Sequence, residues 1–133
     1  MLLRRTIFII DDDPSMLRSI ERLLKVHQFD VKAFESAEAS LDNDSLSDAG
    51  CLVLDIDLGG MSGIELKRHL VGSGVFVPVI FITGKDSETV RKAALEVGCA
   101  AYLSKPFAAN QLTDAIEKAW DAPEAGFPTA PLS

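Results

Sequence analysis

The sequence predicts a doubly wound α/β sandwich of about five strand–helix units. Short apolar runs, which are typical of buried parallel strands, alternate with segments of helical periodicity. The predicted strands are residues 7–10, 31–34, 51–54, 77–82 and 101–103. A chain of 133 residues is long enough for one domain of this class.

Start signals mark the first three helices. Asp13 followed by Pro14 is an N-cap followed by proline at the first helical position, so a helix is expected after the first strand. Ser36 is expected to cap a short second helix. Ser62 with Glu65 three residues later has the spacing of a capping box, which predicts the start of the third helix.

The two remaining helices follow the fourth and fifth strands. Residues 87–97 are predicted to form one of them, which ends at Gly98 because glycine commonly terminates helices. Asn110 is expected to cap the other. Residues 122–133 are proline-rich and lack periodicity. They predict a flexible tail or the start of a linker after a single domain of residues 1–121.

Charge and hydropathy restrict the function classes. The net charge of −7 disfavours non-specific binding to nucleic acid and to anionic membranes. The N-terminus lacks the organisation of a signal peptide, and the apolar residues 75–82 are too few to cross a bilayer. We therefore expect a cytoplasmic protein with no direct contact to nucleic acid or membrane. Cys51 and Cys99 have apolar neighbours and are expected to be reduced packing residues.

Polar residues follow four of the predicted strands. Asp11 and Asp12 come after the first strand, and Asp55 comes after the third. Thr83 follows the fourth strand, and Lys105 comes just after the fifth. Because ligands bind beyond the carboxyl ends of parallel strands, we expect these side chains to share one site.

The acidic part of this site predicts a metal ion. Two carboxylates about 4 Å apart repel by roughly 4 kcal/mol at an effective dielectric constant of 20, and a third increases the repulsion. Such a cluster needs a cation, and hard oxygen ligands select Mg²⁺ or Mn²⁺.

The remaining residues suit phosphoryl transfer, which depends mainly on positioning and charge neutralisation. Lys105 is expected to bind one phosphoryl oxygen, and the Thr83 hydroxyl a second. A carboxylate held by a divalent cation and by Lys105 stays ionised, as an attacking nucleophile must.

Five short segments carry a family resemblance through their order and spacing. They are Ile9-Ile10-Asp11-Asp12-Asp13-Pro14, Leu52-Val53-Leu54-Asp55, Met61-Ser62-Gly63, Phe81-Ile82-Thr83-Gly84 and Lys105-Pro106-Phe107. Together they resemble the receiver domain of bacterial two-component response regulators over nearly the whole chain. Phe34-Glu35-Ser36-Ala37-Glu38 is similar to receivers of the FixJ type. The resemblance implies a flavodoxin-like (βα)5 fold whose parallel sheet has the strand order 2-1-3-4-5.

The resemblance also implies a phosphoacceptor and its metal ligands. Asp55 would accept a phosphoryl group from a phosphohistidine of a sensor histidine kinase or a phosphotransfer protein. Asp12 would bind Mg²⁺ directly and Asp11 mainly through water. Asp55 itself and the backbone carbonyl of Asp57 would complete the ligand set. Such a domain is not a general enzyme, because it catalyses only its own phosphorylation and dephosphorylation.

A conformational switch is a further implication of the resemblance. Thr83 and Lys105 would bind the aspartyl phosphate, with Thr83 moving toward it and Tyr102 turning inward. The surface that changes would be the fourth helix and the fifth strand. The bond between Lys105 and Pro106 is expected to be cis. The resemblance also allows a homodimer formed on phosphorylation and a C-terminal output domain absent from this chain.

Three positions near the site invite separate expectations. Receivers usually have a proline in the loop after the phosphoacceptor, where this chain has Gly59, so we expect a more mobile loop and weaker metal binding. Asp57 and Lys85 each lie two residues beyond a site residue. We expect an ion pair between them that shields the phosphoryl group.

Other functions are compatible with parts of the pattern. Leu52-Val53-Leu54-Asp55-Ile56-Asp57 also resembles the nucleophile motif of haloacid-dehalogenase-type phosphatases, whose nucleophile strand comes first. Here Asp11 and Asp12 precede Asp55, which argues against that order. A phosphorylation-independent interaction module is disfavoured because all five site residues are present. A nucleotide-binding domain is disfavoured because no glycine-rich loop follows the first strand.

Overall fold

The computed structural model describes residues 6–42, 46 and 48–121, in which five strands alternate with five helices. The strands are β1 (Thr6–Ile10), β2 (Asp30–Phe34), β3 (Cys51–Asp55), β4 (Val79–Thr83) and β5 (Ala101–Ser104). The helices are α1 (Pro14–Val26), α2 (Ala37–Leu41), α3 (Gly63–Gly72), α4 (Glu88–Val97) and α5 (Ala109–Asp121). None of the helices in this described part has the length and apolar character needed to span a bilayer. The predicted tail, residues 122–133, lies outside the described residues.

The five strands form one parallel sheet in the order β2-β1-β3-β4-β5, which confirms the predicted order. The chain leaves β1 toward one edge of the sheet and later returns to place β3 on the other side of β1. The register pairs Ile10 with Leu54, so Asp11 and Asp55 follow at the same level. These two carboxylates therefore emerge side by side where the strand order reverses, which is where open α/β sheets bind ligands.

Two helical layers cover the sheet, one on each face, and they bury β1, β3 and β4 on both sides. The layer of α1 and α5 packs against strand residues Ile7, Ile9, Cys51, Val53, Ile80 and Ile82. The layer of α2, α3 and α4 packs against strand residues Phe8, Ile10, Leu52, Leu54, Val79 and Phe81. Strand residues thus alternate between two separate cores. Both cysteines are buried thiols that form no disulfide, as predicted.

The predicted caps fix the helices that begin near the site. The Asp13 side chain accepts hydrogen bonds from two main-chain N–H groups at the start of α1, and Ser36 caps α2. Ser62 and Glu65 exchange both hydrogen bonds of the capping box, at 2.8 and 3.1 Å. Because α1 and α3 start just beyond the acidic strand ends, these caps also define where the backbone leaves the site.

The predicted starts of β4 and α5 are wrong. β4 starts at Val79, and Pro78 lies outside it because proline has no N–H to donate to the ladder. Asn110 does not cap α5, because the helix begins at Ala109 and Asn110 lies in its first turn. Instead, the Gln111 side chain accepts a hydrogen bond of 2.6 Å from the main-chain N–H that precedes the helix. The Gln111 side chain thus provides the acceptor for the main-chain N–H of Ala108, as the third residue of a helix does in a capping box.

The first residue of α3 packs directly on β3. Gly63 donates its N–H to the carbonyl of Ile56 at 3.2 Å. A Cβ atom on Gly63 would overlap the main-chain oxygen of Asp55. At the other end of the same helix, a Cβ on Gly72 would meet no atom within 4 Å.

We predict that Gly63→Ala lowers the free energy of unfolding by about 1–3 kcal/mol, because the added methyl group forces the helix away from β3. Gly72→Ala is the matched control. It should leave the stability unchanged or raise it by up to about 1 kcal/mol, since alanine favours helix. Urea denaturation monitored by circular dichroism measures both values. Equal stabilities of the two variants would contradict the close packing of Gly63.

Candidate functional site

The carboxyl ends of β1 and β3 bring three carboxylates together, as predicted. Asp11 and Asp12 follow β1, and Asp55 is the last residue of β3. One oxygen atom of each lies within 4.8 Å of the others. Asp11 and Asp55 are buried, with exposed fractions of 0% and 2%, whereas Asp12 is exposed. The cluster is therefore a pocket that opens to solvent at Asp12.

Lys105 enters this pocket from the loop after β5. Its Nζ atom lies 3.1 Å from Asp11 Oδ2 and 3.3 Å from Asp55 Oδ2. Burial lowers the pKa of Lys105, but the hydrogen bond to Asp11 and the charges of Asp11 and Asp55 outweigh it and raise the pKa overall. The ammonium group therefore remains charged at neutral pH. The bond between Lys105 and Pro106 is cis, as expected.

The ionisation of Asp55 is set by opposing effects. Burial raises its pKa, and the Asp11 charge adds to the rise. A hydrogen bond of 3.0 Å from the Asp57 N–H, together with the charge and hydrogen bond of Lys105, lowers it. The balance places the pKa of Asp55 at about 6. At pH 7 the carboxylate is then in about tenfold excess over the acid, so Asp55 is mostly in its nucleophilic form.

Thr83 is buried at the end of β4, and its hydroxyl group is already engaged. It donates a hydrogen bond of 2.8 Å to Asp57 Oδ2 and accepts one of 3.0 Å from the Lys85 N–H. Within the described part of the chain, no ion pair joins Asp57 to Lys85, so that expectation is wrong. The Asp57 carboxylate is occupied by Thr83 instead. The sequence predicted a metal-binding backbone carbonyl and an ion pair for Asp57, and no sequence signal indicated that its side chain accepts the Thr83 hydrogen bond.

Tyr102 is held at the surface beside α4. Its hydroxyl donates a hydrogen bond of 2.9 Å to Asp86 Oδ1. Arg91 pairs with Asp86 Oδ2 at 2.6 Å and lies 5.5 Å from the centre of the Tyr102 ring. Burial, and then the bond to Asp86, raise the pKa of Tyr102 to about 12, so it stays a hydroxyl donor. No sequence signal marked Asp86 as the residue that joins these side chains.

Two carboxylates hold the loop between β3 and α3. The Gly59 N–H donates to Asp12 Oδ2 at 3.2 Å, and the Met61 N–H donates to Glu38 Oε2 at 3.1 Å. Between them, Gly60 has a φ of +74°, a left-handed conformation that favours glycine. The expectation of a more mobile loop rested on its glycines alone. These two tethers act against it.

The donor set fits a hard divalent cation. With all three carboxylates ionised, the pocket holds three negative charges against the one positive charge of Lys105. Oxygen ligands about 2.1 Å from an octahedral Mg²⁺ ion lie about 3–4 Å from one another. The separations of up to 4.8 Å between the oxygens of Asp11, Asp12 and Asp55 need only small adjustments to reach these values. A soft metal would find no sulfur or imidazole ligand in this cluster.

Comparison with known proteins identifies relatives over most of the chain. The family model for the response regulator receiver domain matches residues 7–117. Nodulation protein W of Bradyrhizobium diazoefficiens is 36% identical over 110 residues, which are 83% of this chain and 48% of that protein. Transcriptional regulatory protein FixJ of the same organism is 34% identical over 113 residues, which are 85% of this chain and 55% of that protein. The chain thus spans about half the length of the curated relatives it matches.

Solved structures agree with the sequence relatives. The crystal structure of FixJ-N superimposes with a TM-score of 0.82 at 33% identity, covering 90% of this chain and 96% of that one. The structure of response regulator StyR gives a TM-score of 0.80 at 36% identity, covering 90% of this chain and 60% of that one. The residues that line the acidic pocket all fall inside the matched segment 7–117. On this agreement of sequence and structure, the chain belongs to the response regulator receiver domain family.

Proposed function

We propose that this receiver domain accepts a phosphoryl group on Asp55 and responds by changing the surface around α4 and β5. The observation that carries the proposal is the position of Lys105, whose ammonium contacts both Asp11 and Asp55 in an acidic pocket. This arrangement supplies a nucleophile, a fixed positive charge and a set of metal ligands within one site. Phosphoryl transfer requires little more than this.

In the transfer step, an Asp55 carboxylate oxygen forms a bond to the phosphorus of a phosphohistidine. The phosphorus–nitrogen bond breaks, and the imidazole takes up a proton as it leaves. Lys105 has three N–H donors and uses two on Asp11 and Asp55, so one remains for a phosphoryl oxygen. The pKa of about 6 keeps Asp55 mainly ionised at neutral pH, and its burial leaves the carboxylate little exposed to water.

Asp11, Asp12, Asp55 and the backbone carbonyl of Asp57 are the groups that would hold Mg²⁺ or Mn²⁺. When bound there, the cation neutralises negative charge on the transferring phosphoryl group. A cation is needed for charge balance, because Lys105 neutralises only one of the three carboxylates. An anionic phosphoryl group entering this pocket would otherwise meet net repulsion.

The proposed phosphodonor is a sensor histidine kinase or a phosphotransfer protein. A groove of about 230 Å³ lies beside Lys105, between α1 and the start of α5. Most of its lining is apolar, from side chains that include Met16, Ile20, Leu23 and Phe107. A helical partner that presents its phosphohistidine to Asp55 could rest an apolar face in this groove.

The domain would act on no separate substrate. Its own phosphorylation and dephosphorylation would be the only reactions it catalyses, and the phosphatase alternative is not favoured by the family match.

The relatives include a transcriptional regulatory protein about twice as long as the matched segment. We therefore propose an output domain as a partner of this domain. We also propose a homodimer formed on phosphorylation. We further propose a cytoplasmic location, and the net charge of −7 disfavours direct contact with nucleic acid and anionic membranes.

The switch depends on the single hydroxyl proton of Thr83. In the structure this proton is donated to Asp57. To donate it to a phosphoryl oxygen on Asp55, Thr83 must break that bond and move toward Asp55. Tyr102 would then leave Asp86 and turn inward, which alters the surface next to Arg91.

The acceptor residue can be tested by intact-mass analysis after incubation with Mg²⁺ and acetyl phosphate. The wild-type chain should gain one phosphoryl group, and Asp55→Asn should gain none because the amide is not a nucleophile. Asp57→Asn is the control, since it removes a neighbouring carboxylate but retains the acceptor. Absence of a gain in the wild-type chain, or loss of the gain only in Asp57→Asn, would contradict the assignment.

The role of the Asp57 side chain can be tested in unphosphorylated variants, with the phosphorylated wild type as the reference. Asp57→Ala removes the acceptor of the Thr83 hydroxyl, whereas Asp57→Asn retains an oxygen that can accept it. A hydrogen bond to a charged acceptor contributes about 1.5 kcal/mol, so released Thr83 should become about tenfold more populated in Asp57→Ala. The NMR signal of the Thr83 methyl group should then shift toward its position in the phosphorylated wild type. Identical signals in the two variants would show that Asp57 does not restrain Thr83.

A further inference from the structure

One metal-binding carboxylate of the pocket is held differently from the other two. Asp11 is buried and contacts Lys105, and so does Asp55. Asp12 is exposed. Among the described residues, the main-chain N–H of Gly59 is the only hydrogen-bond donor to its carboxylate, at 3.2 Å from Oδ2. Gly59 lies 47 positions away in the sequence, so this contact exists only in the folded chain.

The charges around Asp12 explain what this contact does. Repulsion from Asp11 and Asp55 favours rotation of the exposed Asp12 side chain out into water. The Gly59 N–H opposes that rotation by binding Oδ2, and it leaves Oδ1 available to a cation. A carboxylate already inside the pocket loses less conformational freedom when the metal binds.

The loop gives this N–H group a defined position. Gly60 has a left-handed backbone, and the Met61 N–H is tied to Glu38. The capping box of Ser62 then anchors the loop to α3. The N–H donor of Gly59 therefore belongs to a loop whose following residues, Met61 and Ser62, are held by hydrogen bonds.

We propose that the main-chain N–H of Gly59 is a positioning group for divalent-cation binding, because it holds Asp12 in the acidic pocket. The inference rests on the proposed function of that pocket and assigns a group that supports it. The relevant chemistry belongs to the backbone, so every residue type except proline can supply it at this position. This contact favours metal binding, whereas the flexibility of a glycine-rich loop alone would weaken it. By linkage, a cation bound at Asp12 also stabilises the loop at Gly59.

The test compares Gly59→Pro, which lacks the N–H, with Gly59→Ala, which retains it. A Cβ atom at position 59 would lie 4.0 Å from Asp12 Oδ2, so alanine fits. Each protein is titrated with MgCl2 at constant ionic strength, and the dissociation constant is obtained from NMR chemical shifts. We expect Gly59→Pro to bind Mg²⁺ about threefold to tenfold more weakly than the wild type, the range for loss of one hydrogen bond. Gly59→Ala should stay within about twofold of the wild type.

The outcomes separate this inference from the proposed function. Equal Mg²⁺ affinities in all three proteins would overturn the role of Gly59 but leave the metal site in place. Equally weakened binding in both variants would also overturn it, because loop shape and not the N–H would then be the cause. A wild-type chain that binds no Mg²⁺ would refute the proposed function itself.

A second measurement covers the case in which Gly59→Pro does not fold. Amide hydrogen exchange at Gly59 in the metal-free wild type should be slower than in Asp12→Ala, because that substitution removes the acceptor. Equal exchange rates at Gly59 in these two proteins would overturn the inference.

Discussion

Repulsion among carboxylates at the ends of β1 and β3 is the constraint around which the site is built. The parallel register places Asp11 and Asp55 side by side, so the repulsion between their carboxylates follows from the sheet itself. Main-chain N–H groups from residues 13 and 57 and the Lys105 ammonium offset part of the charge. What remains is an excess of negative charge that a bound cation would balance. The fold thus concentrates negative charge in a cluster of oxygen ligands that fits a hard divalent cation.

The two residues of the proposed switch are also held by acidic side chains. Asp57 holds the hydroxyl of Thr83, and Asp86 holds the hydroxyl of Tyr102. Each hydroxyl group has one proton to donate, so it cannot donate to its present acceptor and to a new one at the same time. In the proposed function, an arriving phosphoryl group would compete with a carboxylate that is already in place. The balance between the two acceptors would then set how completely phosphorylation converts the domain.

The fold and the main site residues were predictable because they depend on local pattern. Apolar runs marked the strands, and the polar residues that end them, such as Asp55, had to meet at one edge of the sheet. The contacts of Gly59 with Asp12 and of Thr83 with Asp57 were not predictable. They join residues 47 and 26 positions apart and depend on a loop path or on side-chain rotamers, which leave no periodic signal. The wrong cap at Asn110 had a similar origin, since the nearby Gln111 side chain filled the same role.

The two separate cores have a consequence for divergence within the family. The groove beside Lys105 is lined by α1 and belongs to the layer that packs with α5. Tyr102 and the buried side of α4 pack against the opposite core. The sheet keeps these layers apart, and both reach the acidic pocket only at its edge. Substitutions around the proposed donor groove can therefore alter one layer while the proposed output surface keeps its packing on the other side of the sheet.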